Sequence, residues 1–272
     1  MAYRQSVVTF VDILGFSKIV EKGPFAQIDE MLDAMGKTAA QPVGEVGKLT
    51  SILSFSDSVI RARSLEGETV YDALLQEVQD LATAQWTLVE FGMLIRGGTT
   101  VGDIHMDERR AFGPAFIRAY TLESSLAGAP RIVIDPAVVE RIREHLHSVG
   151  SRAKKRTLIE DLKSHLHLGD DGIWFIDYIK SVSLLNDADY VRETLFLMRE
   201  FIIESALREQ SDSLILPKYL WLIRYHNLSV GRLFDGERGL RITSADVPAA
   251  DELLKPLLLK VRARPTKRAS AP

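Results

Sequence analysis

Residues 6–15 read SVVTFVDILG, a run of β-branched and aromatic residues of strand length that carries one acid, Asp12, and stops at Gly15. Beyond it the period changes. Ile19, Val20, Ile28, Met31, Leu32 and Met35 recur at helical steps across residues 16–38, with a break at Gly23 and Pro24. Two short strand-like runs follow, 49–55 and 58–62, and the polar pair Ser56 and Asp57 between them predicts a hairpin with Asp57 in or beside the turn. In residues 69–91 apolar positions return at three- and four-residue steps (Val70, Leu74, Val78, Leu81, Trp86, Val89), so a long amphipathic helix is expected, ended by Gly92. Residues 93–104 read as the next strand. The order β-α-β-β-α-β is the split βαβ, ferredoxin-like arrangement, and the expected fold class is α+β: an antiparallel sheet with helices on one face.

Toward the C-terminus, residues 112–127 read as a helix and 131–135 as a short strand. A helix over 136–147 is opened by Asp135 as cap and Pro136 at its first position. Residues 151–156, with Lys154, Lys155 and Arg156, read as a solvated charged connector rather than a phosphate contact, and 172–179 (GIWFIDYI) as the closing strand. Two helical segments, 187–210 and 217–228, precede a tail rich in Lys, Arg, Pro and Ala for which disorder is expected. The expected organisation is a sheet domain over 1–180, a helical extension over 181–258 and a tail over 259–272.

Composition narrows the function classes. With 272 residues, 46% hydrophobic and 26% charged, the chain is neither disordered nor fibrous as a whole. A net charge of -3 provides no whole-chain basic field, so neither nucleic acid nor a membrane surface is an expected partner. There are no cysteines, which removes thiol catalysis and zinc-thiolate sites and leaves carboxylates or histidines as metal ligands. The first residues show no signal-peptide pattern, no apolar run approaches spanning length, and a cytoplasmic location is expected.

In a split βαβ sheet the first strand neighbours the hairpin, so Asp12 and Asp57 can meet at one edge. Two readings are open on spacing alone. Two acids with backbone carbonyls, water and a triphosphate make a hard-oxygen site for Mg2+ or Mn2+, with Gly15 allowing close phosphate approach. Alternatively Asp12 caps the following helix and Asp57 is a turn acid. Other candidates are weaker: a two-residue step turns His145 and His147, or His165 and His167, to different faces of a helix. His226 with Asn227 reads as a packing element, and Gly97 with Gly98 as a bulge or close approach.

Six stretches together carry a family resemblance. FVDILGFS at 10–17, FSDSVI at 55–60, IRGGTTVGDI at 95–104 and FGPAFIRAYTLE at 112–123 resemble, in order and spacing, the signature blocks of class III nucleotidyl cyclases. With PRI at 130–132 and KYLWLIRYHN at 218–227, the chain is most similar to the stand-alone bacterial pyrimidine cyclases of Pycsar anti-phage defence. The resemblance implies cyclisation of a nucleoside triphosphate to the 3',5'-cyclic monophosphate and pyrophosphate. It also implies two divalent metals (Mn2+ or Mg2+), a head-to-tail homodimer with active sites between subunits, and a downstream cyclic-nucleotide effector that the enzyme itself does not touch. Carried over by residue, Asp12 and Asp57 match the metal-binding aspartates, Ile13 the position giving a backbone carbonyl to a metal, and Phe16 the triphosphate cradle.

Where class III purine cyclases place a transition-state Asn and Arg, this chain has Ile117 and Thr121. Arg96, Arg118 and Tyr120 are the candidates left to act on the phosphates, Arg96 first. The two positions that read a purine hold Leu53 and Arg110, the wrong donor and acceptor set for adenine or guanine. Arg110 or Arg96 can donate to a uracil carbonyl, which favours UTP as substrate. The alternatives are a cytidylate cyclase, a catalytically degenerate nucleotide-binding module, and a split βαβ RNA-binding module, which the acidic pair disfavours.

Overall fold

The computed structural model describes residues 3–39 and 50–251. The first residue of the expected strand at 49, the end of the helical extension from 252 and the whole expected tail lie outside them. The chain divides into two compact units, Met1–Val191 and Arg192–Pro272.

The first unit is built around β1 (Arg4–Ile13), whose residues from Ser6 to Val11 are all buried because both faces of the strand are covered. Helices α1 (Phe16–Lys22) and α2 (Phe25–Thr38) follow, parted at Gly23 and Pro24 as expected. The hairpin β2 (Thr50–Phe55) and β3 (Ser58–Ser64), the helix α3 (Val70–Glu90) and the strand β4 (Ile95–Met106) complete the βαββαβ frame. β1 runs antiparallel to both β3 and β4. A short strand β5 (Ala111–Phe112) folds back onto β4, and the helix α4 (Pro114–Leu122) runs directly into a π-helical turn, Glu123–Ala127. The sheet continues through β6 (Ile132–Ile134), parallel to β4, and after α5 (Pro136–Ser148) and α6 (Arg152–His165) it closes with β7 (Leu166–Leu168) and β8 (Trp174–Ile176). The resulting order is β2-β3-β1-β4-β6-β8-β7.

Three expectations are corrected. Helices cover both faces of the sheet, not one. On one face Val8, Phe10, Ile60, Ala62 and Ile104 pack against Ala115 and Ala119 of α4. On the other, Arg61 of β3 is sealed under α3. That α4 can lie on the strands follows from Gly98, where an added Cβ would sit 2.4 Å from Leu122 Cβ and 2.7 Å from the Ala119 carbonyl. Second, residues 152–156 are the first turn of α6, capped by Ser151 Oγ, which accepts from the Lys154 amide, and not a connector. Third, the closing strand is only three residues long; Asp177 ends it by capping α7 (Tyr178–Ser183).

The face under α3 carries an enclosed charge cluster. Arg61 binds Glu77 through two nitrogens (2.9 and 3.1 Å) and Asp80 at 2.8 Å, donates to the Ala39 carbonyl at 2.8 Å, and its side chain is 1% exposed. Arg63 reaches Asp80 at 3.5 Å. Removing one member of such a buried set costs about 3–5 kcal/mol, because its partner stays buried without it.

The second unit holds most of α8 (Ala188–Arg208) and all of α9 (Leu216–Leu233), which runs longer than its expected span. The His226-Asn227 pair is a packing device. The buried His226 Nε2 donates to the Leu240 carbonyl at 2.8 Å, and Asn227 holds the backbone of Ile242 through both its amide atoms (2.7 and 2.8 Å). Burial pushes the His226 imidazole down to about 4, so the ring is neutral at ordinary pH. Among the described residues no helix is long and apolar enough to cross a membrane.

Candidate active site

The end of β1 gathers side chains from three strands. Asp12 stands opposite Ser58 of β3 on one side and Arg96 of β4 on the other. Directly opposed residues share a face, so all three project from the side that α4 covers. Ser58 Oγ donates to Asp12 Oδ1 at 3.2 Å, and Arg96 Nη2 lies 3.4 Å from Asp12 Oδ2. The hairpin turn is tied to the strand end by the Ile13 amide, which donates to the Asp57 carbonyl at 3.2 Å, and Ser56 turns the chain there with a φ of 53°. Asp57 thereby comes within hydrogen-bonding reach of Asp12. Gly15, at φ 80°, then starts α1 at Phe16 with no side-chain cap, so Asp12 does not serve as the helix cap.

A third acid completes the cluster. Glu123, at the first position of the π-turn, is 3% exposed and meets Arg96 Nε at 2.5 Å. Two carboxylates, Asp12 and Glu123, thus share one guanidinium, with Asp57 beside Asp12. Burial, then the hydrogen bond and repulsion from Asp57, then repulsion from Glu123 push the Asp12 carboxyl up to about 7; Arg96 offsets only part of this. A hard cation would relieve that surplus negative charge, and the donors are oxygens, so the residues fit Mg2+ or Mn2+. Among the described residues no group of three His, Cys, Asp or Glu side chains is arranged to hold a metal. A divalent cation here would be held by Asp12 and Asp57, joined in the expected set by the Ile13 carbonyl, with phosphate and water completing the shell.

The other expected residues fall in two places. Arg118 of α4 is bound to Asp135 through Nε (2.7 Å) and Nη2 (2.9 Å), and Thr100 donates to the same carboxylate at 2.8 Å. Burial works to raise Asp135, but these hydrogen bonds and that of the Ala137 amide outweigh it and hold the carboxyl below its usual range. Tyr120, half exposed, sets its ring edge-on to Phe10 at 5.4 Å. Leu53 packs on the apolar face beside Phe10 and Ile60, and a cleft of about 100 Å³ with Ser51, Ala62 and Met106 among its walls opens farther along that face. Arg110 is largely exposed in the β4–β5 turn and paired with Asp107 at 3.0 Å. The structure thus joins Asp12, Asp57 and Arg96 in one place, and sets Leu53, Arg110 and the Arg118–Asp135 pair apart from them.

The parts played by Ser58 and Glu123, and the pairing of the helix cap Asp135 with Arg118, escape the sequence reading. Ser58 was findable, since any β1–β3 register that pairs the strand ends sets it against Asp12. Glu123 falls inside the expected 112–127 helix, but the π-turn that carries it has no periodic signal of its own. Two of the histidines make packing contacts: His145 stacks on Tyr71, and buried His165 bonds Ser181 through Nδ1 at 2.6 Å.

No protein-family model and no curated protein matches the chain. Solved structures similar to it include the adenylyl cyclase CyaB from P. aeruginosa, at 19% identity over 52% of this chain and 82% of that one, with a TM-score of 0.41. The guanylyl cyclase Cya2 is similar at 18% identity over 65% and 94%, TM-score 0.42. An adenylate/guanylate cyclase/hydrolase from Silicibacter pomeroyi is similar at 17% identity over 53% and 82%, TM-score 0.41.

Proposed function

We propose that this chain is a nucleotidyl cyclase that converts UTP to 3',5'-cyclic UMP and pyrophosphate, acting as the signal generator of an anti-phage defence system. The observation that carries the reading is the pairing of Asp12 with Asp57 beside Arg96, on sequence blocks whose resemblance assigns both acids to metal. Two divalent cations at these carboxylates would supply the acidity that ionises a ribose 3'-hydroxyl and would neutralise the phosphates. The chain's own part is to orient and to balance charge. Ser58 fixes one oxygen of Asp12, leaving the other toward Arg96, and Arg96 offers a guanidinium to the negative charge that grows on the phosphates during attack. Phe16 and the amides following Gly15 belong to the triphosphate cradle in this reading.

Base choice rests on Leu53 and Arg110. An apolar residue and a cation leave the adenine amine, or the guanine N1–H and amine, without an acceptor, at a cost of about 1–3 kcal/mol for each buried donor. Uracil offers O4 where cytosine offers an amine, so UTP is preferred to CTP. A homodimer fits the half-exposed Ile117, Tyr120 and Phe112 around α4. Arg96 and Asp12 are neighbours within one chain, so they serve the same site in such a dimer. Mixing Asp12→Ala and Arg96→Ala chains should give no rescue, whereas Asp12→Ala with Arg118→Ala restores activity if Arg118 serves the partner's site.

One observation favours a second reading, a nucleotide-binding module without turnover: Ile117 and Thr121 stand where the resemblance calls for Asn and Arg, and Arg118 is already bound to Asp135. Incubating the full chain with each of the four nucleoside triphosphates and Mn2+, and identifying products by mass, separates the readings. Cyclic UMP as the main product supports the proposal. Cyclic CMP, a purine product, or binding without any cyclic product rejects it in favour of the corresponding alternative.

A further inference from the structure

Glu123 has no role in the reading above, yet its placement is specific. It is almost wholly buried where α4 gives way to the π-turn, and Gly98 lets that turn approach β4 so closely that a Cβ there would sit 3.0 Å from the Glu123 amide nitrogen. Its carboxylate stands 2.5 Å from Arg96 Nε, while Arg96 Nη2 stands 3.4 Å from Asp12. One guanidinium faces two carboxylates and lies nearer the more deeply buried one. Had Arg96 gone wholly to Asp12, it would neutralise the oxygen that the paired aspartates offer to a cation, and Glu123 would lose this partner while remaining out of water.

We propose that Glu123 is a positioning residue that holds the Arg96 guanidinium back from Asp12, keeping the Asp12–Asp57 pair open to a divalent cation and Arg96 free to meet phosphate. The phosphate half rests on the cyclase reading; the cation half does not. Removing the Glu123 charge releases Arg96 onto Asp12, where it competes with the metal.

The test is Mn2+ binding to the full chain, followed by electron paramagnetic resonance of the free ion with and without UTP, alongside turnover. Glu123→Gln should weaken Mn2+ binding about tenfold, within the coupling expected between members of one ion-pair network, and raise the Mn2+ concentration for half-maximal turnover equally. The rate at saturating Mn2+ should fall far less. Glu123→Asp should recover part of the affinity. In an Arg96→Gln background the same Glu123→Gln change should cost less than about threefold, because the residue acts through Arg96. Arg96→Gln alone should bind Mn2+ at least as tightly as wild type, which keeps the proposal testable if Glu123→Gln does not fold. An equal loss in both backgrounds would assign the effect to the Glu123 charge itself and overturn the proposal, as would unchanged binding in Glu123→Gln or no binding in wild type. Mn2+ binding that follows this pattern in a chain that makes no cyclic nucleotide would overturn the cyclase reading and leave the Glu123 role standing.

Discussion

Strand β3 serves a charge cluster on each face of the sheet, and the two are built on opposite plans. Under α3, Arg61 and Arg63 face Glu77 and Asp80: two cations, two anions, all buried. At the end of β1, Asp12 and Glu123 share Arg96, whose side chain is 26% exposed, and Asp57 crowds Asp12. The first cluster is balanced and sealed, so its energy goes into holding β3 to α3 and to the end of α2. The second is left one to two charges negative and reachable from solvent, which makes it unfavourable by itself and receptive to a cation. Charge balance and access, more than the number of ionisable groups, separate a structural cluster from a candidate site.

Substitutions can break this distinction. The largest expected effect is that of Asp57→Ala, which removes the proposed cation ligand from a half-buried turn position. Turnover should fall by roughly 10³-fold or more, the several kcal/mol that a metal contributes to phosphoryl transfer, while the melting temperature barely moves. Near-normal rates in that variant would refute the two-aspartate assignment. Glu77→Ala should show the converse: about 3–5 kcal/mol less stability by chemical denaturation, with the rate per folded molecule retained. Gly98→Ala tests the link between the faces and α4. Its methyl meets Leu122 and the Ala119 carbonyl, so overpacking should cost about 1–3 kcal/mol and disturb the Arg96–Glu123 contact, seen as a weaker Mn2+ response.

Smaller effects sharpen the picture. Arg110→Glu should lower the preference for UTP over CTP by a factor of roughly 5 to 150, the range of one buried hydrogen bond, in kcat/KM comparisons. An unchanged preference would move the base contact to Arg96 or to the walls of the cleft near Ser51. Without metal, Asp12 keeps its proton in the folded chain up to about pH 7 but loses it in the unfolded chain near the ordinary aspartate value. The folded state therefore binds the extra proton between those limits, and stability from this group is full below them and declines as pH rises through 7. Asp12→Asn cannot lose a proton, so in a chelator it should match wild type at pH 4 and exceed it at pH 8 by on the order of 1 kcal/mol, once solvent screening is discounted. Urea denaturation at the two pH values measures the difference.

Much of the sheet unit was legible in the sequence because its signals are long. The β-branched run of β1, the paired strand runs of the hairpin and the helical period of α3 each extend over enough residues to be read, and their order specifies that Asp12 and Asp57 become neighbours. What escaped was short or tertiary. β5 and β7 hold two or three residues each, too few for any alternation, and α6 is so polar that its first turn looks like a linker. Coverage of the second face by α4 depends on Gly98 and Ala119 fitting together across the sheet, and Glu123 matters only because that contact brings its π-turn over Arg96. Local propensity carries no trace of such contacts.

The most direct test is where a divalent cation binds. In crystals of the chain grown with Mn2+ and a non-cyclisable UTP analogue, anomalous scattering should place manganese between the carboxylates of Asp12 and Asp57, with none at the Arg61–Glu77–Asp80 cluster. Manganese elsewhere, or an Asp12 oxygen occupied by Arg96 with no metal at saturating Mn2+, would contradict the account.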